Sequence, residues 1–125
     1  MSVKRVLSVG QCAADHGSIS RTVGRQFDAE VVPVDTAAEA LALLRQEPFD
    51  LVLVNRVLDA DGSSGTGLIR QVKGEDALRQ VPIMLVSNYD DAQQEAVAAG
   101  ALPGFGKAAL GQPQALGRLR AVLQG

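Results

Sequence analysis

Short apolar runs alternate along the chain with segments whose apolar residues recur at helical spacing. The four clear runs are residues 6–9, 31–34, 51–54 and 81–86, and a weak fifth lies near 104–106. Runs this short, apolar throughout and rich in β-branched residues, are typical of strands covered on both faces, as in a parallel sheet. Pro33 in the second run cannot donate a ladder hydrogen bond. The pattern therefore predicts five strands, with the second at an edge of the sheet.

Helical periodicity fills the intervals between these runs. Thr36 followed by Glu39 is a capping-box pattern that begins the second helix, and Pro48 ends it. The other helices are predicted over residues 18–26, 68–74, 92–99 and 113–123. Because strand and helix alternate five times, right-handed crossovers place helices on both faces of the sheet. The sequence thus predicts an α/β fold with a doubly wound, five-stranded parallel sheet, in which ligands bind beyond the carboxyl ends of the strands.

Composition and charge exclude several classes of protein. The 125 residues include 12 basic and 14 acidic side chains, and this formal net charge of -2 disfavours a cationic nucleic-acid binder. The lone cysteine, Cys12, excludes a disulfide-stapled secreted fold and favours a reducing cytoplasm. One cysteine and one histidine are too few for a Cys-rich or His-rich metal site. No apolar run approaches the roughly 20 residues of a membrane helix. We therefore expect a cytoplasmic domain with no nucleic-acid or membrane partner.

The residues that follow the predicted strands, at the edge where such a sheet binds ligands, are Gly10, Gln11, Asn55, Ser87 and Lys107. Together with the runs 6–9, 49–55 and 81–87 and the turn at 99–101, they resemble the receiver domain of bacterial two-component response regulators. The resemblance covers essentially the whole chain. It implies a single receiver-like domain over residues 1–125, the flavodoxin-like strand order 2-1-3-4-5, and a role in two-component signal transduction or a phosphorelay.

The chain departs from the receiver pattern at the positions that carry its chemistry. The resemblance implies an acceptor aspartate at the end of the third strand and an acidic pair after the first strand that helps hold Mg²⁺. Here Asn55 stands at the acceptor position and Gly10 with Gln11 at the acidic pair. The switch aromatic of the fifth strand is replaced by Gly104, and the loop over residues 56–66 is longer than in receivers. The pocket is therefore expected to be a degenerate, pseudo-receiver form.

These losses have direct chemical consequences. An acyl phosphate needs a carboxylate nucleophile, whereas the amide oxygen of Asn55 is neutral and far weaker. Mg²⁺ binds through carboxylates and water, and Gly10 and Gln11 offer no carboxylate. The chain keeps Ser87 and Lys107, which in receivers contact the phosphoryl group. We expect no catalytic residue, no bound metal or cofactor and no enzymatic activity at this pocket.

Lys107 needs an acidic partner, because an unpaired ammonium near low-dielectric surroundings is costly. The sequence leaves three candidates open, namely Asp15, Asp59 and Asp61. Of these, Asp59 and Asp61 lie in the long loop and are also candidates for a relocated phosphoryl acceptor. That alternative would make the chain a phosphotransfer receiver rather than a passive module.

The sequence best predicts a phosphorylation-independent signalling module that acts through protein–protein contact. The receiver resemblance implies a partner such as a histidine kinase or another signalling protein. It also implies homodimer formation through the face built by the fourth helix, fifth strand and fifth helix, which here includes residues 92–99 and 113–123. A further alternative is a sensor of anions or small ligands built from Ser87, Lys107 and the glycine-rich loop 62–67.

Overall fold

The computed structural model describes residues 3–124, which form a five-stranded parallel sheet in the order β2-β1-β3-β4-β5. The strands are Lys4–Val9 (β1), Ala29–Val34 (β2), Leu51–Asn55 (β3), Ile83–Val86 (β4) and Leu102–Phe105 (β5). The helices are Ala13–Phe27 (α1), Ala37–Gln46 (α2), Gly65–Gly74 (α3), Asp90–Ala98 (α4) and Pro113–Leu123 (α5), with a 3₁₀ turn at Lys107–Ala109. This topology confirms the predicted doubly wound, flavodoxin-like fold.

The sheet separates two hydrophobic cores, because successive side chains of a strand point to opposite faces. On β3, Val52 and Val54 lie in the core shared with α2, α3 and α4. Leu51 and Leu53 lie in the core shared with α1 and α5. All four side chains are fully buried, which explains why the central strand is apolar without interruption.

The start of α2 matches its predicted cap, whereas α1 begins earlier than predicted. Thr36 accepts a hydrogen bond from the Glu39 backbone amide at 3.2 Å, which confirms the cap of α2. The first helix was expected to begin at residue 18, but it begins five residues earlier, at Ala13. The added residues include none of the buried face of α1; the turn begins with Ala13 and Ala14, which have high helix propensity, and places Asp15 where a negative charge suits the helix dipole. The buried residues of that face are Ile19, Val23 and Phe27.

Strand β4 begins later than the apolar run suggests. The run starts at Val81, but the Val81 amide closes a turn by donating to the Leu78 carbonyl at 2.9 Å, and the strand begins only at Ile83. Pro33 lies on β2, which among the described strands pairs with β1 alone and so forms an edge of the sheet, as predicted. Within residues 3–124, none of the helices combines the length and the apolar character that crossing a bilayer demands.

Candidate functional site

Three of the five predicted pocket residues line one cleft at the carboxyl edge of the sheet. Asn55, Ser87 and Lys107 enclose a volume of about 310 Å³ together with the segments 56–57 and 88–89. Gly10 joins the group through its carbonyl oxygen, which accepts a hydrogen bond from Asn55 Nδ2 at 3.2 Å. Gln11 is 8% exposed, and within the described residues neither atom of its amide has a hydrogen-bond partner.

A leucine from the long loop fills the space where the first residue of an acidic pair would place its side chain. Gly10 has φ +73°, and a Cβ atom built on it would lie 2.9 Å from both Cα and Cβ of Leu58. Leu58 is fully buried, and the next residue, Asp59, donates its backbone amide to the Gly10 carbonyl at 2.9 Å. The loop therefore packs against the backbone of residue 10, and any side chain at that position would collide with Leu58.

Asn55 is matched to its surroundings as an amide rather than as a carboxylate. Its Nδ2 atom donates to the Gly10 carbonyl oxygen, a role that an ionised aspartate cannot perform because it has only acceptor oxygens. An ionised aspartate at position 55 would instead place a carboxylate oxygen against the partly negative carbonyl oxygen of Gly10. The arrangement stabilises the neutral side chain at the acceptor position.

The residues around Gly10 do not fit the magnesium ion that the receiver fold implies. Gly10 has no side-chain ligand, and Gln11 and Asn55 each offer a neutral amide, that of Asn55 donating from Nδ2 to a backbone carbonyl. Magnesium requires near-octahedral oxygen ligation, usually with one or two carboxylates. No group of three or more His, Cys, Asp or Glu side chains suited to a metal ion occurs in the part of the chain that the structure describes.

Lys107 pairs with Asp15, which decides between the three acids that the sequence left open. Lys107 Nζ lies 2.5 Å from Asp15 Oδ2, and Cys12 Sγ donates to the same oxygen at 3.2 Å. These two hydrogen bonds, chiefly the one from Lys107, hold the pKa of Asp15 below its usual value of 3.8, against the opposing effect of burial. The ammonium is therefore already neutralised by a residue in the first turn of α1.

Among the ion pairs of residues 3–124, neither candidate relocated acceptor is a partner of Lys107. Asp61 is exposed, and its Oδ1 accepts hydrogen bonds from the Ser63 hydroxyl at 2.7 Å and the Ser63 backbone amide at 3.0 Å. Both interactions lower the pKa of Asp61, with the hydroxyl as the larger cause. Asp59 is also exposed and contacts the pocket through its backbone amide. Both aspartates therefore belong to the structure of the loop that covers Gly10.

The remaining predicted positions also make local structural contacts. Ser87 Oγ accepts a hydrogen bond from the Tyr89 backbone amide at 3.1 Å. In the glycine-rich loop, Ser64 caps α3 by accepting from the Gly67 amide at 3.1 Å. The Arg56 guanidinium lies 5.0 Å from the centroid of the Tyr89 ring. These contacts give Ser87, Ser64 and Arg56 structural partners within the chain.

The predicted pocket did not include Asn88, which follows Ser87 after β4. Asn88 Oδ1 accepts a hydrogen bond from the Ala108 backbone amide at 3.2 Å and so joins the loop after β4 to the turn after β5. A Cβ atom at Gly106 would lie 2.6 Å from Asn88 Cγ, so the contact requires glycine there. The available signal was the pair of glycines that flank Phe105 in a predicted strand.

Comparison with known proteins identifies the fold. No protein-family model and no curated protein matches this chain. Among solved structures, the chain is similar to a protein described as a response regulator from Chloroflexus aurantiacus, with TM-score 0.85, 20% identity and coverage of 99% of this chain and 100% of that one.

Two further structures extend this likeness. The signal receiver domain of a DNA-binding response regulator from Colwellia psychrerythraea has TM-score 0.81 and 18% identity over 98% of this chain and 99% of that one. The phosphorylated cyanobacterial phytochrome response regulator RcpA has TM-score 0.76 and 22% identity over 99% of this chain and 96% of that one. The chain therefore has the fold of response regulator receiver domains.

Proposed function

We propose that this chain is a receiver-fold signalling module that acts through protein–protein contact without phosphorylation of its pocket. The observation that carries the proposal is the packing of fully buried Leu58 against Gly10. This contact closes the position at which a receiver would hold a metal ligand. A pocket that cannot bind the ion lacks the positive charge that stabilises an incoming phosphoryl group.

The charges of the pocket support the same conclusion. Asn55 has no carboxylate to become the acyl phosphate, and its amide donates to the Gly10 carbonyl. In receivers the lysine at the position of Lys107 contacts the phosphoryl group. Here its ammonium is paired with Asp15 at 2.5 Å. An anion entering the cleft would have to compete with that carboxylate for the ammonium.

The proposed partner is a protein, such as a histidine kinase or another signalling protein, or a second copy of the chain. The candidate surface is the α4–β5–α5 face, which comprises the exposed parts of those three elements. Val97 on α4 and Leu102 on β5 are 43% and 40% exposed, so this face offers apolar surface to a partner. Binding through this face requires no enzymatic activity and no nucleic acid.

The proposal is tested by incubating the protein with acetyl phosphate and Mg²⁺ and measuring its intact mass. RcpA, whose structure is of a phosphorylated protein, is the positive control. We expect RcpA to gain the mass of one phosphoryl group while this chain gains none. A stoichiometric adduct on this chain would overturn the proposal, and its loss in Asp59→Ala or Asp61→Ala would then identify a relocated acceptor.

A further inference from the structure

One side chain of α4 joins strands β4 and β5. Gln93 Nε2 donates to the carbonyl oxygens of Leu85 at 2.9 Å and Ser87 at 3.1 Å, and Gln93 Oε1 accepts from the Gly104 backbone amide at 3.1 Å. Leu85 and Gly104 are both buried, so water does not offer their backbone groups an alternative partner. The carboxamide of Gln93 therefore acts as an additional peptide group placed between the two strands.

The backbone ladder between these strands is irregular at the same place. Met84 pairs with Leu102, whereas Val86 pairs with Phe105, so two steps along β4 match three steps along β5. The extra residue in β5 leaves backbone groups without a ladder partner, as in a β-bulge. Gln93 supplies the hydrogen bonds that the ladder lacks there.

Gly104 allows this arrangement, and a second helix holds it from the other side. A Cβ atom at position 104 would lie 3.1 Å from Gln93 Oε1 and would also collide with the Leu85 carbonyl oxygen. The Gly104 carbonyl in turn accepts a hydrogen bond from Arg118 Nη1 on α5. Both backbone groups of Gly104 are thus bound by side chains, one from α4 and one from α5.

We propose that Gln93 is a positioning residue that holds the α4–β5–α5 face in one conformation, whatever the state of the pocket. By resemblance, position 104 corresponds to the switch aromatic of receivers. Here the position is a glycine of β5 whose backbone is hydrogen-bonded to side chains of α4 and α5. The proposal rests on the proposed function, since it explains how a partner surface is displayed without phosphorylation. It identifies Gln93, Gly104 and Arg118 as the group that does so.

Amide hydrogen exchange measured by NMR tests the proposal on the Gln93→Ala and Gln94→Ala variants. Gln94 is the exposed neighbour on the same helix and serves as the matched control. Loss of the Gln93 bond should speed exchange of the Gly104 amide about tenfold relative to the Leu53 amide of the central strand. The ratio to Leu53 separates local opening from global destabilisation. An unchanged ratio in Gln93→Ala, or an equal change in Gln94→Ala, would contradict the proposal.

Two further measurements report on positioning. Relaxation dispersion at Val97 and Leu102 should be flat in the wild-type protein and in Gln94→Ala, and should show microsecond-to-millisecond exchange in Gln93→Ala. A scalar coupling across the hydrogen bond, from the Gly104 amide nitrogen to the Gln93 side-chain carbonyl carbon, is expected in the wild-type protein and needs no variant. Coupling of that nitrogen to a backbone carbonyl instead would refute the proposed role of Gln93. These results are independent of the phosphorylation assay, so either proposal can fail alone.

Discussion

Substitution of Gly10 by alanine tests the packing that closes the pocket. The new alanine must keep the φ of +73° that Gly10 has, which costs about 1–2 kcal/mol for a residue with a Cβ atom. It must also displace Leu58, whose Cα and Cβ lie 2.9 Å from the position of that methyl group. Because Leu58 Cα belongs to the backbone, rotation of a side chain cannot relieve the collision. Overpacking of this kind costs about 1–3 kcal/mol more. We expect Gly10→Ala to lower the free energy of unfolding by roughly 2–5 kcal/mol.

Gly62→Ala provides a matched control in the same loop. Gly62 has φ +72°, almost the same as Gly10, but a Cβ atom there would meet no atom within 4 Å. Only the conformational cost applies, so its loss of stability should be about 1–2 kcal/mol. The difference between the two variants measures the collision with Leu58.

Urea unfolding followed by far-ultraviolet circular dichroism measures both changes, provided that the m-value is unchanged. Leu58→Ala alone should cost about 2–5 kcal/mol, because it empties a fully buried site. The Gly10→Ala, Leu58→Ala double variant should lose less than the sum, because it removes Leu58 Cγ, the atom nearest the new methyl group, and so relieves part of the collision. Equal losses at positions 10 and 62, or strict additivity in the double variant, would refute the argument that Leu58 occupies the pocket.

Three other predictions concern charge, capping and chemistry. The ion pair of Asp15 with Lys107 lowers the pKa of the carboxyl in the folded protein. Its contribution to the free energy of unfolding should therefore be complete above pH 3.8 and be lost as the pH falls further. Acid titration of the stability of wild-type and Asp15→Asn proteins checks this, and parallel curves of stability against pH would contradict it. Thr36→Ala should lower the free energy of unfolding by about 1 kcal/mol in calorimetry, since the Glu39 amide loses its cap acceptor. An unchanged free energy of unfolding would argue against the cap. Asn55→Asp alone should gain no phosphoryl group from acetyl phosphate and Mg²⁺ by intact mass, because the metal ligands are still missing; an adduct would show that the acceptor was the only defect.

The local pattern of the sequence determined most of the fold. Apolar runs too short for helices and the alternation with helical periodicity are properties of neighbouring residues, and they predicted five parallel strands correctly. Capping by Thr36 and the edge position of Pro33 depend on the backbone geometry of a few residues, so both could be predicted. The start of α1 could not, because Cys12 makes no side-chain cap hydrogen bond and Gly17 lowers the local helix propensity.

The state of the pocket depended on contacts between distant parts of the chain. Sequence alone indicated that Gly10 and Asn55 lack carboxylates, but the packing of Leu58 against Gly10 joins residues 48 positions apart, and no periodicity marks it. The choice of Asp15 as partner of Lys107 depends on how α1 lies beside the turn after β5. Long-range contacts of this kind are set by packing and electrostatics in three dimensions, whereas secondary structure follows largely from near neighbours. For that reason the sequence was sufficient to predict the fold and the missing carboxylates. Only the folded molecule determined which groups occupy the space of those carboxylates.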